Sequence, residues 1–180
     1  MDIQLTDDVS LRSLLYGDAS GLAKYGDNPN IAVNQRESFP VPYTIEHARQ
    51  WIRHAKDHET EDRFAIATKK EAIGEIGFLV QGDVHRNSAE ISFWIGEEYW
   101  GQGIVTRAVN HIAEYAFKKR GIKRLFADVI EYNIGSQKVL LKCGFQLEGI
   151  LRKNIYKNGE YYDQYVYARL DEDDYPAENP

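Results

Sequence analysis

The sequence holds one cysteine, Cys143, among 180 residues, so no disulfide can form within the chain. A chain of this length needs no covalent staple to bury a core, and scarce thiols suit a reducing compartment, so the cytoplasm is the expected location. Nowhere do the roughly 20 consecutive apolar residues of a membrane helix occur. The opening Met1-Asp2-Ile3-Gln4 has no basic stretch followed by an apolar run, so neither a secretory signal nor a membrane partner is expected. Positive charge is in short supply: 22 Lys and Arg against 28 Asp and Glu leave a net charge of -6. That excludes a broad nucleic-acid footprint. The acidic balance would suit a cationic substrate, but it suits many soluble proteins equally. No cluster of His, Cys, Asp and Glu has metal-ligand spacing, so no metal is expected. Internal repeats and long linkers are missing as well. One domain over residues 1–170 is expected, then an acidic tail over 171–180 whose charge and prolines read as disordered.

What is present reads as alternating elements. Asp18 stands where it would cap a short helix through Tyr25, ended by Gly26. Asn28-Pro29 reads as a turn. Pro40 and Pro42 break the chain before Thr44, which caps a helix with Ile45, Ala48, Trp51, Ile52 and Ala55 on its apolar face. Residues 63–68, 72–80 and 88–96 are partly alternating runs and predict strands, the first two joined by the polar Lys69-Lys70-Glu71. Ile104, Ala108, Ile112 and Ala116 recur at helical spacing, flanked by Val105, Val109, Ala113 and Phe117, and Gly121 ends that helix. Residues 124–130 predict a strand. A helix after Asn133 carries Val139, Leu140 and Cys143 and stops at Gly144. Residues 145–156 and 161–170 predict two strands around an Asn158-Gly159 turn. The order is strand, helices, three strands, helix, strand, helix, two strands. That is a mixed sheet with helices on its faces, of the α/β (α+β) class.

Two stretches carry chemistry. Trp100-Gly101-Gln102-Gly103-Ile104-Val105-Thr106 lies between a strand and the strongest helix. Its glycines let the backbone approach a ligand, and the exposed N–H groups of a first helical turn can hold an anion such as a diphosphate. A dinucleotide fingerprint would want a third glycine where Thr106 stands, and a Walker loop would end in Gly-Lys-Ser or Gly-Lys-Thr. Taken alone, the glycines serve a tight strand-to-helix turn equally well. The second stretch is Glu131-Tyr132-Asn133 at a strand end, followed by Ser136, Lys138, Leu140, Lys142 and Gly144-Phe145. Singly, Asn133 reads as an N-cap and Ser136 as a first-turn donor.

Together, and at this spacing, the two stretches closely resemble the GNAT superfamily of N-acetyltransferases, and within it the ribosomal-protein N-terminal acetyltransferase-like branch (the RimJ/RimL type). The resemblance runs from about Pro42 to Leu170. It is most specific from Ile95 to Ile104 and from Asn133 to Phe145. Leu147-Glu148-Gly149 and the Asn158-Gly159 turn before Asp163 also match. It implies a mixed, mostly antiparallel sheet splayed between its fourth and fifth strands and flanked by helices, with the cosubstrate acetyl-CoA in the gap. Main-chain groups of Phe93, Trp94 and Ile95 would pair with the pantetheine arm. The N–H groups of Gly101, Gln102, Gly103, Ile104, Val105 and Thr106 would cradle the pyrophosphate. Asn133 would hydrogen-bond the pantetheine region, Ser136 would sit near the sulfur, and Lys138 would reach the adenosine phosphates. A homodimer is compatible with the resemblance.

The chain also departs from the pattern. Trp100 stands where the phosphate motif usually has Gln or Arg, and Val105 where it ends in Gly or Ala; both changes leave the backbone donors intact. Leu140 occupies the position, seven residues after Asn133, where many members carry a tyrosine acid. Ser136 inherits that role. Glu90, on the strand beside the cosubstrate, could reach the amine through a water, and Ser136, Asn133 and Glu90 form the expected catalytic set. Ribosomal-type relatives can carry a Glu where this chain has Ile155, which leaves ribosomal substrates open. His85 reads as a loop residue, Asp163 as a brace of the last hairpin, and Cys143 as helix-end packing. Tyr43, in the stiff loop Phe39-Pro40-Val41-Pro42-Tyr43, is the expected acceptor contact. The implied reaction is acetyl transfer from acetyl-CoA to a primary amine, such as a protein N-terminus, a polyamine or another small amine, by direct attack in a ternary complex. The alternatives are a non-catalytic acyl-CoA-binding regulatory module and, third, a nucleotide-binding protein using the same glycine turn.

Overall fold

The computed structural model describes residues 2–57 and 61–173. Eight strands are hydrogen-bonded in the order β1-β2-β3-β4-β5-β6-β8-β7. Two compact units are distinguished, Met1–Leu79 with Ser92–Ala108, and Val80–Ile91 with Val109–Pro180.

In the first unit the expected opening strand is a hairpin, β1 (Asp2–Gln4) paired antiparallel with β2 (Val9–Ser13). The fold-back is local. Leu5 and Thr6 donate their N–H groups to Val9 O, and Val9 N–H donates to Thr6 Oγ1 at 3.1 Å. Next come α1 (Ala19–Gly26), the four-residue α2 (Pro29–Ala32) and α3 (Ile45–Asp57). Asp18 precedes α1 without capping it. Arg12 takes its carboxylate through both guanidinium nitrogens (2.8 and 2.6 Å), and Leu15 N–H donates to it at 2.8 Å. Asn28-Pro29 is the start of α2 rather than a turn, because Asn28 Oδ1 accepts from Asn30 N–H and Pro29 fits the first helical position. Thr44 does meet the start of α3, with Oγ1 accepting from His47 N–H at 3.3 Å.

The helix α3 buries Ala48, Ile52 and Ala55 against Leu22 of α1, Ala65 of β3 (Glu61–Thr68) and Ala72 of β4 (Ala72–Val80). Ile45, expected on that face, is 42% exposed because it stands at the helix start. A fully buried side chain the size of Ile52 contributes about 1.5–3 kcal/mol. Strands β2, β3 and β4 run antiparallel, with a register shift between Ile66 and Ala67. At Gly74 a Cβ would lie 2.4 Å from Trp94 O, so β4 and the far end of β5 (Ser88–Ile95) pass too closely for any side chain there.

In the second unit, β5 and β6 (Arg124–Ile130) pair in parallel from Ser88 to Glu90 against Arg124 to Phe126, and the ladder stops there. These are the strands expected as fourth and fifth; the opening hairpin makes them fifth and sixth. β6 pairs antiparallel with β8 (Glu160–Leu170), and β8 with β7 (Gln146–Lys157). Asn158 and Gly159, both at positive φ (53° and 84°), make the expected turn. β7 is exposed along nearly its whole length. Its register breaks between Leu147 and Gly149 and again between Leu151 and Ile155, with Lys153 at φ 54°. Val109, Ile112, Ala113 and Ala116 of α4 (Ile104–Arg120) and Leu140 of α5 (Ile134–Lys142) are buried. Gly121 and Gly144 end the two helices at φ 66° and 78°. The tail was expected from 171, yet Asp171 N–H donates to Lys123 O and its carboxylate accepts from Lys123 Nζ. The tail beyond 173 lies outside the described residues. Among the described residues no helix is long and apolar enough to cross a membrane.

Candidate functional site

In the first unit, β5 ends at Ile95 and a single 3-10 turn, Glu97–Tyr99, leads into the glycine stretch. Gly101 and Gly103 adopt φ of 74° and 73°, the left-handed region that costs other residues about 1 kcal/mol or more. A Cβ at either would meet nothing within 4 Å, so glycine is required there by backbone angle and the space in front stays open. Trp100 braces the turn by donating its indole N–H to Ile95 O at 2.9 Å, and Gln102 Nε2 donates to Glu98 O at 2.9 Å. The side chain of Gln102 is thus part of the frame.

Helix α4 begins at Ile104, and Arg107 N–H donates to Gly103 O at 3.2 Å. The N–H groups of Ile104 and Val105 precede it in the first turn, where a helix supplies no acceptor of its own. Aligned peptide dipoles add partial positive charge at the same end. Gly101, Gln102 and Gly103 are exposed, Val105 and Thr106 half-buried, and Ile104 buried. This geometry can hold a doubly charged oxyanion group without any cationic side chain. On β5, Phe93 and Trp94 are half-buried and Ile95 is buried.

Tyr43 is placed differently from its expected role. It is 5% exposed and belongs to the core of this unit. Its ring stacks on Phe39 at 4.6 Å, and Trp94 meets it edge-on at 6.3 Å. Burial, and secondarily the charge of Glu75, raise its phenol pKa above the ordinary value.

Glu75 was not singled out in the sequence. It is a 4%-exposed carboxylate in β4. Trp51 Nε1–H of α3 donates to Oε2, and Arg63 Nη1 of β3 lies 3.8 Å from Oε1. Arg63 also spreads over the Trp51 ring at 5.2 Å and donates to Ser92 Oγ at 2.6 Å. Burying a carboxylate is costly unless it is paired and hydrogen-bonded, and α3 and β3 supply its partners. The available signal was one acidic residue inside the apolar run Ala72-Ile73-Gly74-Glu75-Ile76.

In the second unit, Asn133 caps α5, with Oδ1 accepting from Ser136 N–H at 3.1 Å. Ser136 is half-buried on the first turn, and Lys138 is exposed one turn further. Glu90 is half-buried on β5 opposite Phe126. Leu140 is fully buried, so the position of the family tyrosine is filled by core packing. Cys143 is buried as well, and burial pushes its thiol pKa up to about 12, which removes it as a nucleophile near neutrality. Asp163 does brace the last hairpin: Oδ1 accepts from Lys153 N–H at 2.8 Å, and its own N–H donates to Glu131 Oε1 at 3.1 Å. His85 is exposed in the turn Asp83–His85. Among the described residues no group of His, Cys, Asp and Glu could hold a metal ion.

The chain is 41% identical over 137 residues to the uncharacterized N-acetyltransferase YoaA of Bacillus subtilis (strain 168), covering 76% of this chain and 71% of that one. It is 29% identical over 155 residues to spermidine N(1)-acetyltransferase of Escherichia coli (strain K12), covering 85% and 81%. Among solved structures, the microcin C7 self-immunity acetyltransferase MccE, in complex with acetyl-CoA and AMP, superposes with a TM-score of 0.80 at 28% identity, covering 92% and 94%. Residues 8–146 match the family model described as acetyltransferase (GNAT) domain, and this chain belongs to that family of acetyltransferases.

Proposed function

We propose that the protein transfers the acetyl group of acetyl-CoA to a primary amine, with both substrates bound together. The observation that carries this reading is the pair of left-handed glycines leading into the start of the 17-residue helix α4. The first-turn N–H groups from Gly101 to Thr106 take the pyrophosphate. Main-chain groups of Phe93, Trp94 and Ile95 take the pantetheine arm as an added strand. Lys138 supplies charge to the adenosine phosphates. The relative solved with acetyl-CoA supports the donor, and the spermidine-acetylating relative supports a free amine among the candidate acceptors.

The chemistry follows from amine and thioester reactivity. The neutral amine attacks the carbonyl carbon, the C–S bond breaks, the thiolate gains a proton and the new ammonium loses one. Holding both reactants in line is worth about 7–11 kcal/mol. Ser136 solvates or protonates the departing thiolate, a role that Leu140 cannot take. Asn133 fixes Ser136 by capping its helix and hydrogen-bonds the pantetheine region. Glu90 receives the amine proton through a water. Buried Glu75, which shares Arg63 with the exposed Ser92, is a second carboxylate on which the same proton could end. General acid–base help of this kind typically adds about 10²–10⁴-fold.

Incubation with acetyl-CoA and a panel of peptide N-termini, polyamines and aminoglycosides, read by free thiol release, tests the proposal. Amine-dependent release is expected. Acetyl-CoA binding without release for any amine would sink it in favour of an acyl-CoA-binding module, the reading that Leu140 in the acid position favours.

A further inference from the structure

The carboxylate of Glu97 sits on the 3-10 turn immediately before Trp100-Gly101, and it is exposed. Two carboxamides from one corner of the first unit converge on it. Asn28 Nδ2 donates to Oε2 at 2.7 Å, and Asn30 Nδ2 donates to Oε1 at 2.9 Å and to Oε2 at 3.0 Å. The two donors are linked to each other. Asn28 Oδ1 simultaneously caps α2 through Asn30 N–H at 2.8 Å, so the short helix holds the two amides in register. Their hydrogen bonds draw the Glu97 carboxyl pKa below its ordinary value, which means that the ionised form is the one they grip. The same corner is held a second time. Tyr25 of α1 lies against Gly96, where a Cβ would come within 2.7 Å of its ring, and it meets the Tyr99 ring edge-on at 5.7 Å.

Exposed polar contacts of this sort add little to folding, since water competes for each partner. Their placement gives them another use. An ionised Glu97 that could swing freely would bring negative charge toward a turn whose open N–H groups attract anions. Held by the two amides, the same carboxylate becomes an anchor that fixes where the turn begins.

We infer that Asn28, Asn30 and Glu97 form a positioning latch that presets the glycine turn for the pyrophosphate of acetyl-CoA, so that the corner joining α1 to α2 sets cosubstrate affinity without touching the cosubstrate. This rests on the proposed use of the turn. These are positioning residues: they act through the backbone of Gly101 and Gly103.

Calorimetric titration of the full chain with acetyl-CoA tests it, using Asn28→Ala/Asn30→Ala, Glu97→Ala and the three together, with Gly103→Pro as reference. Breaking either side of the latch is expected to raise Kd about tenfold, and breaking both sides to raise it no further, because one interaction is lost in every case. Glu97→Gln keeps a carbonyl oxygen for the amides and is expected to fall between. Melting temperatures should stay within about 2 °C of the parent and kcat at saturating acetyl-CoA should hold, which a general loss of structure would not allow. Parental Kd in the latch variants, with binding lost in Gly103→Pro, would overturn the latch and leave the turn's reading standing. Tighter binding in Glu97→Ala would show that the carboxylate only repels. Effects that add across the two sides would show separate roles. Parental binding in Gly103→Pro as well would overturn both readings.

Discussion

Helices α4 and α5 each follow a strand in the chain, and they begin in different ways. Helix α5 closes its start internally: Asn133 Oδ1 accepts from Ser136 N–H. Helix α4 begins in another way. Its start is shaped by Gly101 and Gly103, and the bracing contacts of Trp100 and Gln102 go backward to Ile95 O and Glu98 O, away from the N–H groups. A capped start is a stability device, while a glycine-shaped start on a helix of 17 residues suits the binding of an anion. The capped helix is then suited to present a side chain, Ser136, and the glycine-led one to present backbone.

Four variants break or sharpen this contrast. Gly103→Pro has the largest expected effect. It forces φ near -65° where the chain holds 73° and deletes a donor, so acetyl-CoA Kd should rise about 100-fold while the protein stays folded. Unchanged affinity in a folded variant would show that the start of α4 is not used. Ser136→Ala comes next. If α5 presents the hydroxyl to the leaving thiolate, kcat falls about 10–100-fold with acetyl-CoA affinity held. A kcat that does not move would reduce Ser136 to a first-turn residue.

Asn133→Ala removes the cap from the closed helix and should cost about 0.5–2 kcal/mol in denaturant unfolding. If no stability is lost, α5 is not held by this cap and the contrast disappears. Tyr43→Phe is expected to do least. With the ring buried, acceptor KM should stay within about twofold of the parent, since only a hydroxyl is removed and packing is conserved. A selective rise in acceptor KM, with acetyl-CoA KM unaltered, would return the phenol to the acceptor site.

What could be read from the sequence depended on distance along the chain. Gly121 and Gly144 as helix stops, Asn133 as a cap and Asn158-Gly159 as a hairpin turn were legible because each partner lies within a few residues. So were the strands from 88 onward, where alternation and turn residues agree. Asp18 failed as a cap because Arg12, six residues upstream, competes for the same oxygens with a full charge. Glu97 and Asn30 are separated by 67 positions, and no local pattern announces their contact. Glu75 stood in plain view as a charge in an apolar strand, but Trp51 and Arg63 acquire meaning only once α3 and β3 are packed around it. The burial of Tyr43 was not legible because a stiff, proline-flanked loop reads equally well as a lip or as a lid over the core.

The interrupted register of β7 has a consequence for the crowded cell. It is the last strand of the sheet, 12 residues long and exposed, with Leu147, Ile150, Leu151 and Tyr156 facing water. Such an edge invites neighbouring chains to extend the sheet without limit. Breaks after Leu147 and Leu151, the left-handed Lys153 and the charge of the exposed Arg152 cut that edge into pieces too short and too kinked to template a fibre.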